Sequence, residues 1–333
     1  VSHHVAARGG FDAARQASRA ALLLDASLAS AVERLSEPDG WRFSGFAALY
    51  LAGWAAGVAA VALAVATAQH PAWLWLASAL LGSQLHALTV LQHDCGHRSA
   101  YRSAAANLWV GRFLAWFVFM PFTTFTEMHR HHHGALGDAA RDPDEWFYEG
   151  GARGLFVREW LFVPRFVWLS LTRLPVGPAR RRVQRELAFN TLTHAALAAG
   201  LWAAGATGVL LYAWLLPMAW LALLFNPISR GYEHWPLATL PACDPRRGDL
   251  RCNTVTVRSR LMGVLWAHIG LHVEHHMYPR VPFHRLPALH RLFAGKAYCM
   301  ATWPLQPLNL TDAPAQPPAG ATGTPPHLTG SSA

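Results

Sequence analysis

Charge is scarce in this sequence. Asp, Glu, Lys and Arg make up only 14% of its 333 residues, against 53% hydrophobic residues. A soluble chain of this size carries about a quarter charged residues, so the composition argues against a freely soluble domain. The shortage is also localised. No charged residue occurs from Phe43 to His93, and none from Leu187 to Ser229. Cysteine is sparse as well. Cys95, Cys243, Cys252 and Cys299 form no CxxC pair, which argues against a disulfide framework and against structural zinc. No rubredoxin-like or Rieske-like cysteine pattern is present, so the chain is not expected to carry its own iron–sulfur centre. HExxH is missing, which removes the zinc-protease class. The apolar patch at 21–24 is too short for a signal-peptide core. No internal repeat of fixed period is visible.

What is present begins with the two uncharged runs. A membrane crossing needs about 20 apolar residues, so each run is long enough for two. Gln69-His70-Pro71 divides the first into 46–68 and 71–92, and Gly205-Ala206-Thr207-Gly208 divides the second into 187–204 and 209–229. The expectation is an all-α integral membrane protein with four transmembrane helices in two hairpins. All 28 Lys and Arg residues lie outside the hairpin turns, and the net charge is +9. By the positive-inside rule the remaining segments share the cytoplasmic side, as in a bacterial inner membrane protein. The basic charge reads as a topology signal and a contact with anionic headgroups. It does not read as a nucleic-acid site, because no stacking platform is interleaved with the arginines.

Three regions are expected. Residues 1–42 form a cytoplasmic arm that rests on the membrane through Trp41 and, just beyond it, Phe43 and Phe46. Residues 43–300 form the membrane domain. Residues 301–333, rich in Pro, Gly, Ala and Thr, form a disordered tail. Within the membrane domain, 104–126 is apolar but carries Arg112 in its middle. A charge at the bilayer centre costs about 2.5–3.5 kcal/mol, so this segment is expected to be re-entrant or interfacial. In 155–174, arginines alternate with Trp160, Phe162, Phe166 and Trp168, as in a helix lying in the interface. Asp244 to Asp249 reads as a polar turn, and a single helix is expected from about Ser259 through His276.

Histidines cluster at the edges of these segments. His93 and His97 are an i, i+4 pair. His129, His132 and His133 repeat the spacing of His272, His275 and His276 at i, i+3 and i+4. On a helix such positions share a face. Eight box histidines exceed one tetrahedral site, which implies two metal ions. An all-imidazole donor set suits iron with open positions for dioxygen. Asp94, Glu233 and Glu274 are cast as acceptors that orient the rings. His86 reads as a buried histidine bonded to a neighbouring helix. A histidine-rich metal transporter is the competing class, but no ionisable residues are spaced along the crossings as a path.

HDCGH at 93–97, HRHHH at 129–133, YEHW at 232–235 and HVEHHMYPRVPFHRLPALHR at 272–291 resemble the membrane fatty-acid desaturase superfamily, the histidine-box diiron enzymes. The resemblance runs from about 45 to 295. It implies a cytoplasmic histidine-rich diiron cap and an oxygen-dependent oxidoreductase acting on an unactivated C–H bond, with two iron ions and dioxygen as co-substrate. It implies the metal ligands His93, His97, His129, His132, His133, His234, His272, His275 and His276, with His131 able to exchange with a neighbour. Some relatives place Asn four residues before the counterpart of His234, where this chain has Arg230. No cytochrome b5 segment is visible, so a separate electron donor of ferredoxin or cytochrome type is implied. The acyl-lipid branch makes desaturation of a long acyl chain the expected reaction. Arg141-Asp142-Pro143-Asp144 also resembles carotenoid hydroxylases and ketolases, the alternative. The substrate slot is expected between the first two crossings and 104–126, walled by Trp109, Trp116, Phe117 and Phe119.

Overall fold

Apolar runs closed by strong caps set the helices. The computed structural model describes residues 26–136, 140–148, 151–234, 254–293 and 300–302. A short helix α1 (Ala26–Leu35) precedes α2 (Gly40–Ala66), which is capped by the Asp39 carboxylate accepting from the Arg42 amide at 3.1 Å. Ala68 adopts a left-handed φ of 50° in the turn, and Pro71 opens α3 (Pro71–Gly96) at the position where its missing N–H costs nothing. Next come α4 (Ala104–Trp116), α5 (Phe122–Gly134), α6 (Gly151–Arg158), α7 (Phe162–Arg173) and α8 (Pro178–Ala203). The long helix α9 (Thr207–Gly231) follows, with three π-turns. Then come α10 (Arg260–Leu265), α11 (His272–Met277) and α12 (Leu286–Leu292), and single helical turns lie at Glu145–Tyr148 and Tyr232–His234. Strands β1 (Thr256–Arg258) and β2 (Met300–Thr302) pair in parallel, with Thr256 opposite Met300.

Three helices, α2, α3 and α9, are long and apolar enough to cross a membrane. Helix α8 differs. Its first half carries Arg180, Arg181, Arg182, Arg185 and Glu186, leaving only Leu187–Ala203 uncharged, short of the roughly 20 residues of a full crossing. The helices also run past the apolar limits read from sequence, because helix geometry continues into polar residues that hydropathy excludes. Helix α3 is central: 61% of its apolar window is buried inside the fold, against 6% for α2. It packs against α2, α4 and α9. A Cβ on Gly82 would stand 2.7 Å from Trp220 Cβ and 2.9 Å from the Pro217 carbonyl oxygen, so glycine permits the close α3–α9 approach.

The segment 104–126 is two helices, not one crossing. The chain turns back between α4 and α5, where Phe119 takes a φ of 57° and Pro121 precedes α5. Arg112 is neutralised by Glu186 of α8, Nε to Oε1 2.7 Å, and the Thr123 amide and hydroxyl donate to the same carboxylate. Along 155–174, Trp160 and Trp168 are more than half exposed while Phe162, Phe166 and Leu169 are buried, as an interfacial helix requires.

Two expectations are corrected. The helix from Ser259 is broken, because Ala267 and His268 take left-handed φ values of 49° and 58°, separating α10 from α11. Phe43 does not rest on a membrane surface; it is fully buried, edge-on to Tyr101 and Phe283. The C-terminal part of the arm joins a second core, in which Val32 of α1 packs with Leu286 and Leu289 of α12. Arg285 donates to the carbonyls of Glu37 and Arg34 at 2.6 and 3.1 Å, satisfying the end of α1. Strand β2 carries the folded body to Thr302. Residues 1–25, the Asp244–Asp249 turn and the rest of the tail lie outside the described residues.

Gly82→Val is expected to force α3 from α9 and destabilise the fold by about 1–3 kcal/mol, the usual cost of overpacking. Thermal unfolding of the detergent-purified variant measures this, and an unshifted midpoint would contradict the close packing.

Candidate metal centre

Helices α5 and α11 each hold three histidines, and helix geometry sends neighbouring residues about 100° apart. On α5, His129 and His133 therefore face one way and His132 another. On α11, His272 and His276 share a face while His275 turns from it. Helix α3 ends at the same place, with His93 in its last turn and His97 at its C-cap. His234 arrives from the turn that follows α9.

The result is two groups of imidazoles. In the first, ligand nitrogens of His93, His97, His129, His133 and His275 all lie within 4.8 Å of one another. Their Nε2 atoms form a chain: His93–His97 3.3 Å, His97–His129 2.9 Å, His129–His133 3.0 Å and His133–His275 3.2 Å. In the second, His132, His234 and His276 meet the same criterion. His272 joins them, its Nε2 2.8 Å from that of His234 and 3.1 Å from that of His276. The rings of His133 and His276 stack at 4.2 Å and link the two groups. His131 is exposed and belongs to neither.

Hydrogen bonds on the far side of two rings expose bare lone pairs. His132 Nδ1 donates to Asp142 Oδ1 at 2.9 Å and lies 3.5 Å from Asp144 Oδ2, leaving its buried Nε2 without a partner. His272 Nδ1 lies 3.3 Å from the Ile269 carbonyl oxygen and 3.2 Å from Glu233 Oε2. A neutral imidazole has one donor and one acceptor, so a proton held at Nδ1 leaves Nε2 as an acceptor. Several such acceptors converge on one point. Burial, then repulsion from neighbouring imidazoles, pushes His97, His129, His133, His272, His275 and His276 well below the usual histidine value. They stay neutral, the form that binds metal. His132 moves the other way. Burial opposes its charge, but Asp142 and Asp144 outweigh that and raise it. Nitrogens each about 2.0–2.1 Å from one ion fall about 3 Å apart when at right angles, which matches these spacings. The donor set fits two metal ions.

The carboxylates sort differently from the expectation. Glu233 stands beside His272, and burial raises it to about 8 against the pull of Arg230. Asp94 accepts from the Phe283 amide at 2.8 Å and is 3.6 Å from His93 Nδ1, too far for a hydrogen bond. Glu274 accepts from the Thr256 hydroxyl at 2.6 Å and pairs with His290, which is outside both groups. The acceptor for a converging ring is instead Asp142, which falls ten residues beyond His132 on a loop. Only the acidic pair around Pro143 hinted at it.

Arg230 has a role that spacing does not reveal. It reaches Asp144 Oδ2 at 2.6 Å and Glu159 Oε1 at 2.5 Å, and lies over the Phe162 ring at 4.5 Å. It thereby ties the loop that holds His132 to the interfacial segment. His86 is buried, its Nδ1 3.2 Å from Asn226 Oδ1 on α9 and its ring edge-on to Trp266, as expected for a packed histidine.

A cavity of about 800 Å³ lies beside the centre, within the usual ligand-pocket range of about 300–1,000 Å³. Its walls come from α3, the α4–α5 turn, the 159–167 segment, Leu187 of α8 and α9, and none from α2. Of the four aromatic residues expected to wall a slot, only Phe119 does so. Trp109 is exposed, while Trp116 and Phe117 pack against Trp214 and Trp54.

The family described as Fatty acid desaturase matches residues 67–303. The chain is 32% identical over 235 residues to the sphingolipid delta(4)-desaturase/C4-monooxygenase of Homo sapiens, covering 66% of this chain and 67% of that protein. The rat counterpart, from Rattus norvegicus, is 31% identical over 240 residues, 68% of each chain. The sn-1 oleoyl-lipid 12-desaturase of Arthrospira platensis is 25% identical over 248 residues, 64% of this chain and 65% of that one.

Arg230→Met is expected to leave Asp144 and Glu159 as unpaired buried charges. Breaking such a pair costs about 3–5 kcal/mol. Thermal unfolding should show a clear fall in midpoint, and bound metal should drop as His132 loses its support; a variant matching the wild type in both would refute the link.

Proposed function

The chain belongs to the fatty acid desaturase family, and from that premise we propose that it introduces a double bond into a long acyl chain of a lipid at a two-iron centre. The observation that carries the reading is the pair of separate, convergent groups of buried imidazoles. His93, His97, His129, His133 and His275 would hold one iron, and His132, His234, His272 and His276 the other. When bound, the irons and dioxygen supply the oxidising power needed at an unactivated C–H bond. Forming one double bond removes two hydrogens from adjacent carbons. Two electrons and two protons from a separate donor protein complete the reduction of dioxygen to two waters.

The chain's own residues supply placement. Asp142 holds the His132 proton at Nδ1, so Nε2 faces the centre. Arg230 fixes the loop from which Asp142 and Asp144 act. The apolar cavity keeps water from the chain carbons and orients them, and misplacement by about 1 Å can cost 100-fold in rate. The mammalian relatives' names couple a desaturase with a C4-monooxygenase, so hydroxylation is the second reading. The relatives give no support to the carotenoid alternative.

The membrane domain of this reading spans 43–300, with α8 as the fourth crossing beside α2, α3 and α9. The histidines and both termini then share the cytoplasmic face of the membrane.

Expression in a host rich in saturated lipids is expected to yield new unsaturated acyl chains that a His132→Ala control lacks, with about two irons per purified chain. Hydroxylated chains alone would favour the second reading, and one tightly held zinc in active enzyme would overturn the iron assignment. For topology, single-cysteine variants at Gln69 and Ala204 should label only from outside and Arg102→Cys only from the cytoplasm. External labelling at Arg102→Cys would reject the arrangement.

A further inference from the structure

Helix α10 leads into α11 and its three rings, and it turns two large apolar side chains outward. Leu261 and Val264 are 64% and 69% exposed, as much as Leu49 and Leu63 of α2 at 67% and 66%. Three residues apart, they share one helix face, while Met262 and Gly263 between them are buried. Two hydrogen bonds fix where α10 stands against the long helices. The Tyr50 hydroxyl of α2 donates to the Val264 carbonyl at 2.5 Å, and the Trp266 indole donates to the Ser83 hydroxyl of α3 at 2.9 Å.

Each bond gives a depth. Tyr50 stands 16 residues before Ala66, the outer end of α2, which is about 24 Å along the axis. Ser83 stands 12 residues after Pro71, the outer end of α3, which is about 18 Å. A hydrocarbon core is about 30 Å thick, so both partners lie inside it, and tilt of the crossings draws them further from the inner edge. A helical side chain leans toward the N-terminus of its helix, here the cytoplasmic end. Tyr50 therefore reaches up to a Val264 held near the inner edge, and Trp266 reaches down from there to Ser83. The same ruler puts His93, 22 residues after Pro71, about 33 Å from the outer end, just past the core.

The backbone agrees. Helix α10 ends at Leu265, and the His268 amide goes to Gly263, so the Val264 carbonyl is not met along the chain. Where water is excluded, such a group needs a partner from the protein, and Tyr50 is that partner. At the other end the Ser259 hydroxyl accepts from the Met262 amide at 3.2 Å. Arg258 and Arg260, both exposed, stand at the start of α10, where long basic side chains reach anionic phosphates.

We propose that α10 is immersed in the cytoplasmic leaflet, with Leu261 and Val264 among the acyl chains and Arg258 and Arg260 at the headgroups. This rests on the reading of α2 and α3 as membrane crossings. The leaflet then holds the segment that delivers His272, His275 and His276, so the bilayer itself is part of the frame of the metal centre.

The test uses the full chain in nanodiscs of phosphatidylcholine and phosphatidylglycerol. Cys243, Cys252 and Cys299 are replaced by Ser, the buried Cys95 is kept, and a nitroxide is attached at one new cysteine. Its accessibility to oxygen, which enters hydrocarbon, is compared with that to a nickel chelate, which stays in water. At Val264→Cys the ratio of oxygen to nickel accessibility should exceed one, as at the α2 reference Leu63→Cys. At Arg102→Cys it should fall below one, and Arg258→Cys should give less than Val264→Cys. Should Val264→Cys not fold, Leu261→Cys on the same face serves with the same criteria. A ratio below one at Val264 beside a lipid-like Leu63 would overturn the immersion and leave the crossings standing. A water-like Leu63 would overturn both. Low access to both reagents at Val264 would mean that protein covers this face, which also overturns the proposal.

Discussion

Imidazole nitrogens that face one another in a dry interior repel unless something positive lies between them. That constraint organises the molecule. Nine rings from four places in the chain converge, eight of them with Nε2 atoms at spacings of 2.8–3.3 Å, and most are held neutral by burial. Alone, such an arrangement would be a cluster of half-satisfied polar groups, which is worse than an apolar core. With two cations it becomes a coordination centre, and folding and metal binding are then coupled. The left-handed backbone at Ala267 and His268 separates α10 from α11, which carries three of the rings.

The centre is fastened from outside by a second layer of charge. His132, Asp142, Asp144, Arg230 and Glu159 form a relay from the His132 ring to the interfacial segment. Each charge in the relay is tolerable only because its neighbour compensates it. The same relay borders the cavity, since Glu159, which pairs with Arg230, is among its lining residues. The wall of the cavity and the loop that orients His132 are therefore joined through Arg230.

Helix α3 explains how a membrane domain supports this. It is the most enclosed of the long helices, and its inner end carries Gln92, His93 and Asp94 in succession. These meet the cavity, the first histidine group and the Phe283 amide respectively. Glycine at position 82 lets α9 approach closely enough to close the other side of the slot.

Much of this was legible in the sequence. Uncharged runs with Pro and Gly breakers marked the long helices, because apolar length and helix punctuation are local properties. The spacing of His129, His132 and His133, and of His272, His275 and His276, marked ring faces for the same reason. Residue order alone did not reveal the partition of those rings into two groups, because which rings of different helices meet is decided only when the helices dock. Nor did it reveal Asp142 in place of Asp94 as a ring's acceptor, since a loop brings it back to His132. The cavity's walls were not legible either, since Trp109 faces outward and Trp116 and Phe117 pack against Trp214 and Trp54. Arg230, read from the sequence only as a departure from the Asn of some relatives, proved to be a partly buried strut between Asp144 and Glu159. Local pattern determined the helices and the inventory of donors; three-dimensional packing decided which donors meet, because lone pairs and charges act through space and not along the chain.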